Sequence, residues 1–454
     1  VGEGVGAVVM KLKWLKIHQL RGVAAGTTLT FSDGFNVLLG QNGSGKTTLL
    51  KVLSCVARDD YSDMPDSSFN IEYEVETDSG SVTAAMTRAE LASPLGEFTN
   101  LTSGITRDFF DGNAGGRNAM PVNFKLEIRS NKSPKPIHVS NKGKTGTDVE
   151  VLTAEGEQLL FENGYSPLRP QPLLDFSLSI KSTVHEGALA QFAEIAEDAF
   201  GWAEQRWDES LEFFEKKFKS EVVKIAFTQG RFRRMHMDMY LSGLREAIYG
   251  VMTGHAEAVR SELIEPGEPE YLNVAGDRLA ALVALEEMLG AKRIVWKADR
   301  LEKSIRGDIA EVTYGNIRLE WEKQDGTIIT HKHMSYGQKR LTAFLLYMSN
   351  NPQIVIADEL VNGLHHTWIK ECLAKIAGRQ SFLTSQNPLL LDYLTLESPE
   401  QVRRSFIHCR LESKEGHELM VWENMSPEMA QSVYEASEVG IMQVNEILQR
   451  HGLW

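Results

Sequence analysis

The run Gly40-Gln41-Asn42-Gly43-Ser44-Gly45-Lys46-Thr47-Thr48 constrains this chain more than any other feature. It fits G-x-x-x-x-G-K-[ST], and its flanks fit too. The apolar Phe35-Asn36-Val37-Leu38-Leu39 predicts a strand entering the loop, and residues 47–52 predict a helix leaving it. Glycines at 40, 43 and 45 open backbone angles closed to other residues, so successive N–H groups can turn onto a phosphate at a helix N-terminus. In that arrangement Lys46 reaches the β- and γ-phosphates, Thr47 gives its hydroxyl to Mg²⁺, and Thr48 serves the α-phosphate side. Gln41, Asn42 and Ser44 complete the nucleotide-binding set.

A chain of 454 residues is too long for one simple core and should divide into two or three lobes. Its 42% hydrophobic and 24% charged content is that of a globular protein, and no apolar run approaches the roughly 18–20 residues of a membrane-spanning helix. The expectation is a soluble protein with no membrane partner. Residues 1–9 lack a basic start and a long apolar stretch, so they read as a flexible or non-native extension before Met10. Cys55, Cys372 and Cys409 are widely spaced, which suits a reducing cytoplasm and gives no zinc pattern. A net charge of −14 argues against a protein that coats DNA, while leaving room for a local basic groove.

Far downstream, Gln353-Ile354-Val355-Ile356-Ala357-Asp358-Glu359 reads as a buried strand ending in two carboxylates, a Walker B pattern. Asp358 would hold Mg²⁺ through its water shell, and Glu359 would orient and deprotonate the water that attacks a γ-phosphate. Before it, Met334-Ser335-Tyr336-Gly337-Gln338-Lys339-Arg340 opens an apolar helical run over residues 341–348. Ser335 is a natural N-cap, and a serine and glycine at a helix start make a second anion site.

Ser335-Tyr336-Gly337-Gln338 resembles the Leu-Ser-Gly-Gly-Gln signature of ABC-type ATPases, with Met334 and Tyr336 as departures. The opening segment, residues 12–22, resembles the first strand of the SMC, RecF and OLD group, in which an arginine matching Arg21 is directed towards nucleotide. The run Glu359-Leu360-Val361-Asn362-Gly363-Leu364-His365-His366 is similar to the D-loop of RecF- and OLD-like ATPases. Ser381-Phe382-Leu383-Thr384-Ser385-Gln386-Asn387-Pro388 stands where that family has a switch histidine. Gln386 can donate a hydrogen bond there but cannot carry charge, so hydrolysis would be slow. The glutamine loop that links ABC lobes has only a weak candidate, Gln171.

The resemblance implies an α/β fold: an ABC-type P-loop ATPase head whose mixed sheet has an antiparallel β flank, with a compact helical insertion between its halves. It assigns residues 10–182 to lobe I, 183–304 to the insertion and 305–454 to lobe II. ATP and Mg²⁺ are the implied cofactors, with Ser335, Gly337 and Gln338 closing on nucleotide bound by a second copy. The chain would then form a head-to-tail homodimer glued by ATP, a two-fold arrangement common among oligomers. The tail after Gln386 is too short for the Toprim domain of OLD nucleases. The chain thus resembles stand-alone OLD/RecF-like AAA ATPases of anti-phage modules such as PARIS, which control a separate nuclease or toxin. The alternative is a RecF-like ATP-dependent DNA clamp in repair.

Short alternating runs over residues 61–182 predict the antiparallel flank, and residues 130–146 predict a long exposed loop whose lysines could touch nucleic acid. Spacing such as Leu279-Leu282-Leu285-Leu289 predicts helices in the insertion. His331 and His333 would share one side of a strand, a weak metal pattern without a third ligand. Residues 427–448 predict a closing helix capped by Ser426, with Met429, Val433, Ala436, Val439 and Met442 as packing positions.

Overall fold

The computed structural model describes residues 10–64, 68–88, 122–132, 135–142, 148–152, 158–161, 195, 199, 206–228, 231–236, 271–275, 279–307, 309–350, 352–414, 416–439 and 443–453. The fold is mixed α/β. Sequence patterning puts boundaries at 182/183 and 304/305; the chain divides into one compact unit of residues 1–204 with 396–454, and another of residues 205–395. Gln171 lies outside the described residues.

In the first unit, strands β1 (Lys11–Leu20), β2 (Thr27–Thr30), β4 (Phe69–Thr77), β5 (Gly80–Arg88), β6 (Asn123–Ser130), β7 (Ile137–Lys142), β8 (Asp148–Leu152) and β9 (Gln158–Phe161) form an antiparallel sheet in the order β2-β1-β4-β5-β6-β7-β8-β9. Period-two alternation drives it. Phe69, Ile71, Tyr73 and Val75 of β4 are buried, while the intervening Glu72 and Glu74 are only half-buried. This is the expected β flank, and it extends into the expected loop at 130–146, where β7 buries Ile137 and Val139. That alternation was masked by the surrounding Asn, Lys, Ser and Gly.

The same unit holds β3 (Phe35–Leu39), paired in parallel with β18 (Phe406–Lys414) through Val37↔Phe406, Leu38↔Ile407 and Leu39↔His408. β19 (His417–Asn424) runs antiparallel to β18. Helix α1 (Lys46–Arg58) follows the phosphate loop and buries Leu49, Leu50, Val52, Leu53 and Val56. Helix α7 (Pro399–Ser405) starts with a Ser398 cap and proline in its first turn. The predicted closing helix is two helices, α8 (Pro427–Val439) and α9 (Val444–Arg450). Ser426 caps α8 as expected, accepting the Met429 N–H at 3.2 Å, and Val433 is buried. Val439, expected to pack, is 64% exposed; a glycine follows it in the sequence, and glycine favours a helix stop. Met442 lies outside the described residues.

In the second unit, β10 (Val223–Thr228), β11 (Arg231–His236), β12 (Tyr271–Ala275), β13 (Arg293–Arg306), β14 (Ile309–Glu322) and β15 (Ile328–Thr330) form an antiparallel sheet, ordered β11-β10-β14-β13-β12 with β15 on β14. The helical reading of residues 183–304 therefore needs correction. Among its described residues, α2 (Trp207–Glu212), the π and 3₁₀ turns that continue it over Phe213–Lys217 and Phe218–Ser220, and α3 (Ala280–Leu289) are helical, but β10, β11, β12 and most of β13 are strands. Long-range pairing with β14 decides this. Alternation at Val223-Lys224-Ile225 is too short to announce a strand, yet β14 gives it a partner and buries both apolar side chains. The spacing of Leu279, Leu282 and Leu285 does yield a buried helix face.

Helices α4 (Tyr336–Ser349), α5 (His366–Ile376) and α6 (Leu389–Asp392) complete this unit, with β16 (Ile354–Ala357) parallel to β17 (Gln380–Thr384). Both strands are buried along their whole length, as parallel strands are.

Candidate functional site

The phosphate loop runs from the end of β3 to the start of α1. Gly40, Gly43 and Gly45 all adopt positive φ, at 138°, 85° and 90°. Glycine is required at 40 and 45 for space as well. A Cβ at 40 would lie 2.0 Å from the Cys409 carbonyl oxygen, and one at 45 would lie 2.4 Å from Met420 Sδ. No side chain caps α1. The Lys46 ammonium donates to the carbonyls of Gly40 at 2.6 Å and Gln41 at 3.0 Å, arching over the loop. Ser44 is buried, and its hydroxyl has no hydrogen-bond partner. A cradle of positive-φ glycines, an uncapped helix start, a poised ammonium and an orphaned hydroxyl together suit a polyphosphate.

Around this loop the fold adds residues that the motif does not contain. The turn after β1 carries exposed Arg21 and pairs with β19: Ala24 N–H donates to the Met420 carbonyl at 2.9 Å, and Met420 N–H to Gly22 at 2.7 Å. A cavity of about 310 Å³ is lined by Gly40, Gln41, Asn42 and Ser44 together with His408, Arg410 and Leu453. Burial pushes the Cys409 thiol up to about 12 despite nearby Lys46, so it is a packed thiol and no nucleophile. Burial also holds His408 below its usual value, against the opposing pull of Glu423.

In the second unit, Asp358 and Glu359 leave the end of β16. Glu359 has φ 55°, a left-handed conformation that costs a non-glycine residue about 1–2 kcal/mol. Its surroundings hold its N–H, its carbonyl and one carboxylate oxygen. Its N–H donates to Thr384 Oγ1 at 2.8 Å, and its carbonyl accepts from Arg340. Its Oε2 accepts from Asn362 Nδ2 at 2.7 Å and from the Gln386 N–H at 3.0 Å. The Thr384 hydroxyl in turn donates to Asp358 Oδ1, and Trp207 Nε1 donates to the Asp358 carbonyl at 3.0 Å. Desolvation raises the Asp208 carboxyl above its usual range, with Asp358 adding to the rise and Arg206 opposing it.

Ser335 caps α4 in a full capping box. Its hydroxyl accepts the Gln338 N–H at 3.3 Å, while Gln338 Oε1 accepts the Ser335 N–H at 2.8 Å. The Gln338 side chain, expected at nucleotide, is thus engaged in closing its own helix. The Ser335 hydroxyl still has a proton to donate. A Cβ on Gly337 would come 2.5 Å from the Gly363 carbonyl oxygen, so the signature glycine lets α4 approach the turn after Glu359. His331 and His333 lie in a 3₁₀ turn, not a strand. His331 is buried against Phe214 and Phe218 and accepts the Leu319 N–H at 3.3 Å, a core histidine. Among the described residues no group of acidic, histidine or cysteine side chains has metal-ligand spacing.

Sequence reasoning thus found Asp358, Glu359, Asn362 and Gln386, and the structure brings these four together. It missed Thr384 and Arg340, although both stand inside quoted motif runs. Trp207 and Asp208 carried no local signal, being one tryptophan and one acid in a charged stretch.

Residues 15–230 match a family model described as an AAA domain. That segment includes the whole phosphate loop. No curated protein matches the chain. Among solved structures, the SMC head domain from Thermotoga maritima is 11% identical, with 92% of this chain and 99% of that one covered and a TM-score of 0.34. The Smc head domain bound to the C-terminal domain of ScpA, from Pyrococcus furiosus, is 13% identical, with 94% and 100% covered and a TM-score of 0.38. The recombination mediator protein RecF of the RecFOR pathway is 13% identical, with 92% and 99% covered and a TM-score of 0.30.

Proposed function

We propose that this protein binds and hydrolyses ATP as an ABC/SMC-like ATPase, and that it works as an ATP-gated dimerising switch controlling a separate effector in bacterial anti-phage defence. The observation that carries the reading is the phosphate loop, with its three positive-φ glycines, arched Lys46 and unpartnered Ser44 hydroxyl. On ATP binding, Lys46 exchanges its loop carbonyls for phosphate oxygens, and the α1 N-terminus adds its dipole. Thr47 and Asp358 are the protein groups suited to Mg²⁺, which when bound neutralises charge on the β- and γ-phosphates.

Glu359 takes the proton of the attacking water, and its position is set by Asn362 and the Gln386 N–H. Gln386, an amide where relatives use histidine, supports slow turnover. Ser335, at the start of α4, donates its hydroxyl proton to the γ-phosphate of nucleotide held by a second copy. Loss of that phosphate then removes contacts from both subunits and releases the pair.

Light scattering on size-exclusion columns with ATP and Mg²⁺, run beside phosphate release, tests this reading. Glu359→Gln should accumulate as an ATP-bound dimer with little turnover, and Lys46→Ala should remain monomeric and inactive. Turnover by Glu359→Gln at the wild-type rate would remove the base assignment. Phage challenge of cells carrying the gene with its neighbours tests the defence role, which Lys46→Ala should abolish.

A further inference from the structure

Arg340 is a buried cation of the second unit. It is 5% exposed and forms no ion pair among the described residues. Its guanidinium stacks over the Trp207 ring at 4.6 Å and lies 5.3 Å from the Tyr336 ring centroid. One terminal nitrogen donates to the Tyr336 hydroxyl at 2.8 Å, the other to the Glu359 carbonyl, and Nε has no partner. Burying a cation without a carboxylate costs several kcal/mol, which cation–π stacking and two charge-assisted bonds offset only in part. An apolar side chain would fill this site at lower cost, so the cation's distinctive product is its grip on the Glu359 carbonyl.

That grip has a second half. Trp207, the ring beneath the guanidinium, donates its N–H to the carbonyl of Asp358. One stacked pair therefore holds two consecutive carbonyls, on either side of the Glu359 Cα, whose backbone is left-handed. The outer end of the arrangement is Tyr336, which stands where the resembled signature has glycine and which is 56% exposed. Its ring also packs against Gly363, so it touches both the guanidinium and the turn after Glu359.

We propose that Tyr336, Arg340 and Trp207 form a positioning clamp that sets the backbone of Glu359 and transmits contact at the exposed Tyr336 ring to that residue. The proposal rests on the ATPase reading for its catalytic consequence, and on the geometry alone for the clamp. Arg340→Lys keeps the charge but loses the fork that reaches Tyr336 and Glu359 together. Tyr336→Phe removes only the hydroxyl, and Trp207→Phe keeps a ring while removing the N–H.

Two measurements test it. In hydrogen exchange, the peptide spanning residues 358–362 should exchange at least about tenfold faster in Arg340→Lys than in wild type, a loss of roughly 1.4 kcal/mol of local protection, with residues 40–58 unchanged. In steady-state kinetics, normalised to sites counted by nucleotide binding, kcat should fall by roughly tenfold or more in Arg340→Lys. It should fall by roughly two- to tenfold in Tyr336→Phe and Trp207→Phe, with KM for ATP within about twofold throughout. A merely structural role would lower the number of competent sites and leave kcat per site unchanged, which overturns the proposal. Unchanged exchange over 358–362 overturns it too, whether or not the protein turns over ATP. Faster exchange over 358–362 in Arg340→Lys, with no ATP turnover by the wild-type protein, would keep the clamp and reject the ATPase reading.

Discussion

Replacing Thr384 by valine should cost more stability than replacing it by serine, although valine keeps the volume and serine does not. Thr384 is fully buried at the end of β17, and its hydroxyl makes two bonds: it accepts the Glu359 N–H at 2.8 Å and donates to Asp358 Oδ1. Valine removes both. A hydrogen bond to a charged group contributes about 1.5–3 kcal/mol, and leaving the Glu359 N–H unsatisfied adds about 1–3 kcal/mol, so the expected loss is roughly 2.5–6 kcal/mol. Serine keeps the hydroxyl and loses one methyl group, about 1 kcal/mol. For a unit of this size each kcal/mol shifts the melting midpoint by about 2–4 °C. Thermal scans should therefore show Thr384→Val melting roughly 5–24 °C below wild type and Thr384→Ser only a few degrees below, about 2–4 °C. The order of the two variants is the test. If valine proved as stable as serine or more so, Thr384 would be ordinary core packing and the bonds to Asp358 and Glu359 would contribute nothing.

Gly337→Ala places a Cβ 2.5 Å from the Gly363 carbonyl oxygen, against backbone that cannot yield cheaply, and should lower unfolding free energy by about 1–3 kcal/mol in urea titrations. Burial holds the folded pKa of His408 below the usual histidine value of 6.5, so the unfolded chain binds its proton first. The stability it contributes is full above 6.5 and is lost as pH falls through the depressed folded value. Melting midpoints followed from about pH 7.5 to pH 5 should fall less steeply in His408→Gln than in wild type.

The parts of the candidate site legible in the sequence are those with short-range causes. Positive φ demands glycine at 40, 43 and 45, and a serine three residues before a glutamine writes the capping box of α4 at Ser335 and Gln338. The buried strand β16 announces itself as an unbroken apolar run, Ile354–Ala357. Less legible were the strands between residues 223 and 306. Their alternation is brief or mixed with charge, and β10 becomes a strand because β14 supplies a partner and a core face. The closing helix misled in the opposite way, since helical spacing continued in the sequence past the point where α8 ends.

The sequence by itself determined that this chain carries a phosphate loop between a strand and a helix, and a buried strand ending in Asp358 and Glu359. Each depends on backbone angles and side-chain types within a few consecutive residues. Only the tertiary structure decided what holds those groups. Trp207 reaches Asp358 across 151 residues, Arg340 reaches Glu359 across 19, and Met420 packs against the phosphate loop's Gly45 from the far end of the chain. Such partners leave no local pattern, because burial and strand register select them after the chain has folded back on itself. The left-handed turn at Glu359 shows why this matters: glutamate does not favour that conformation, and it persists because distant residues bond its N–H, its carbonyl and its carboxylate at once.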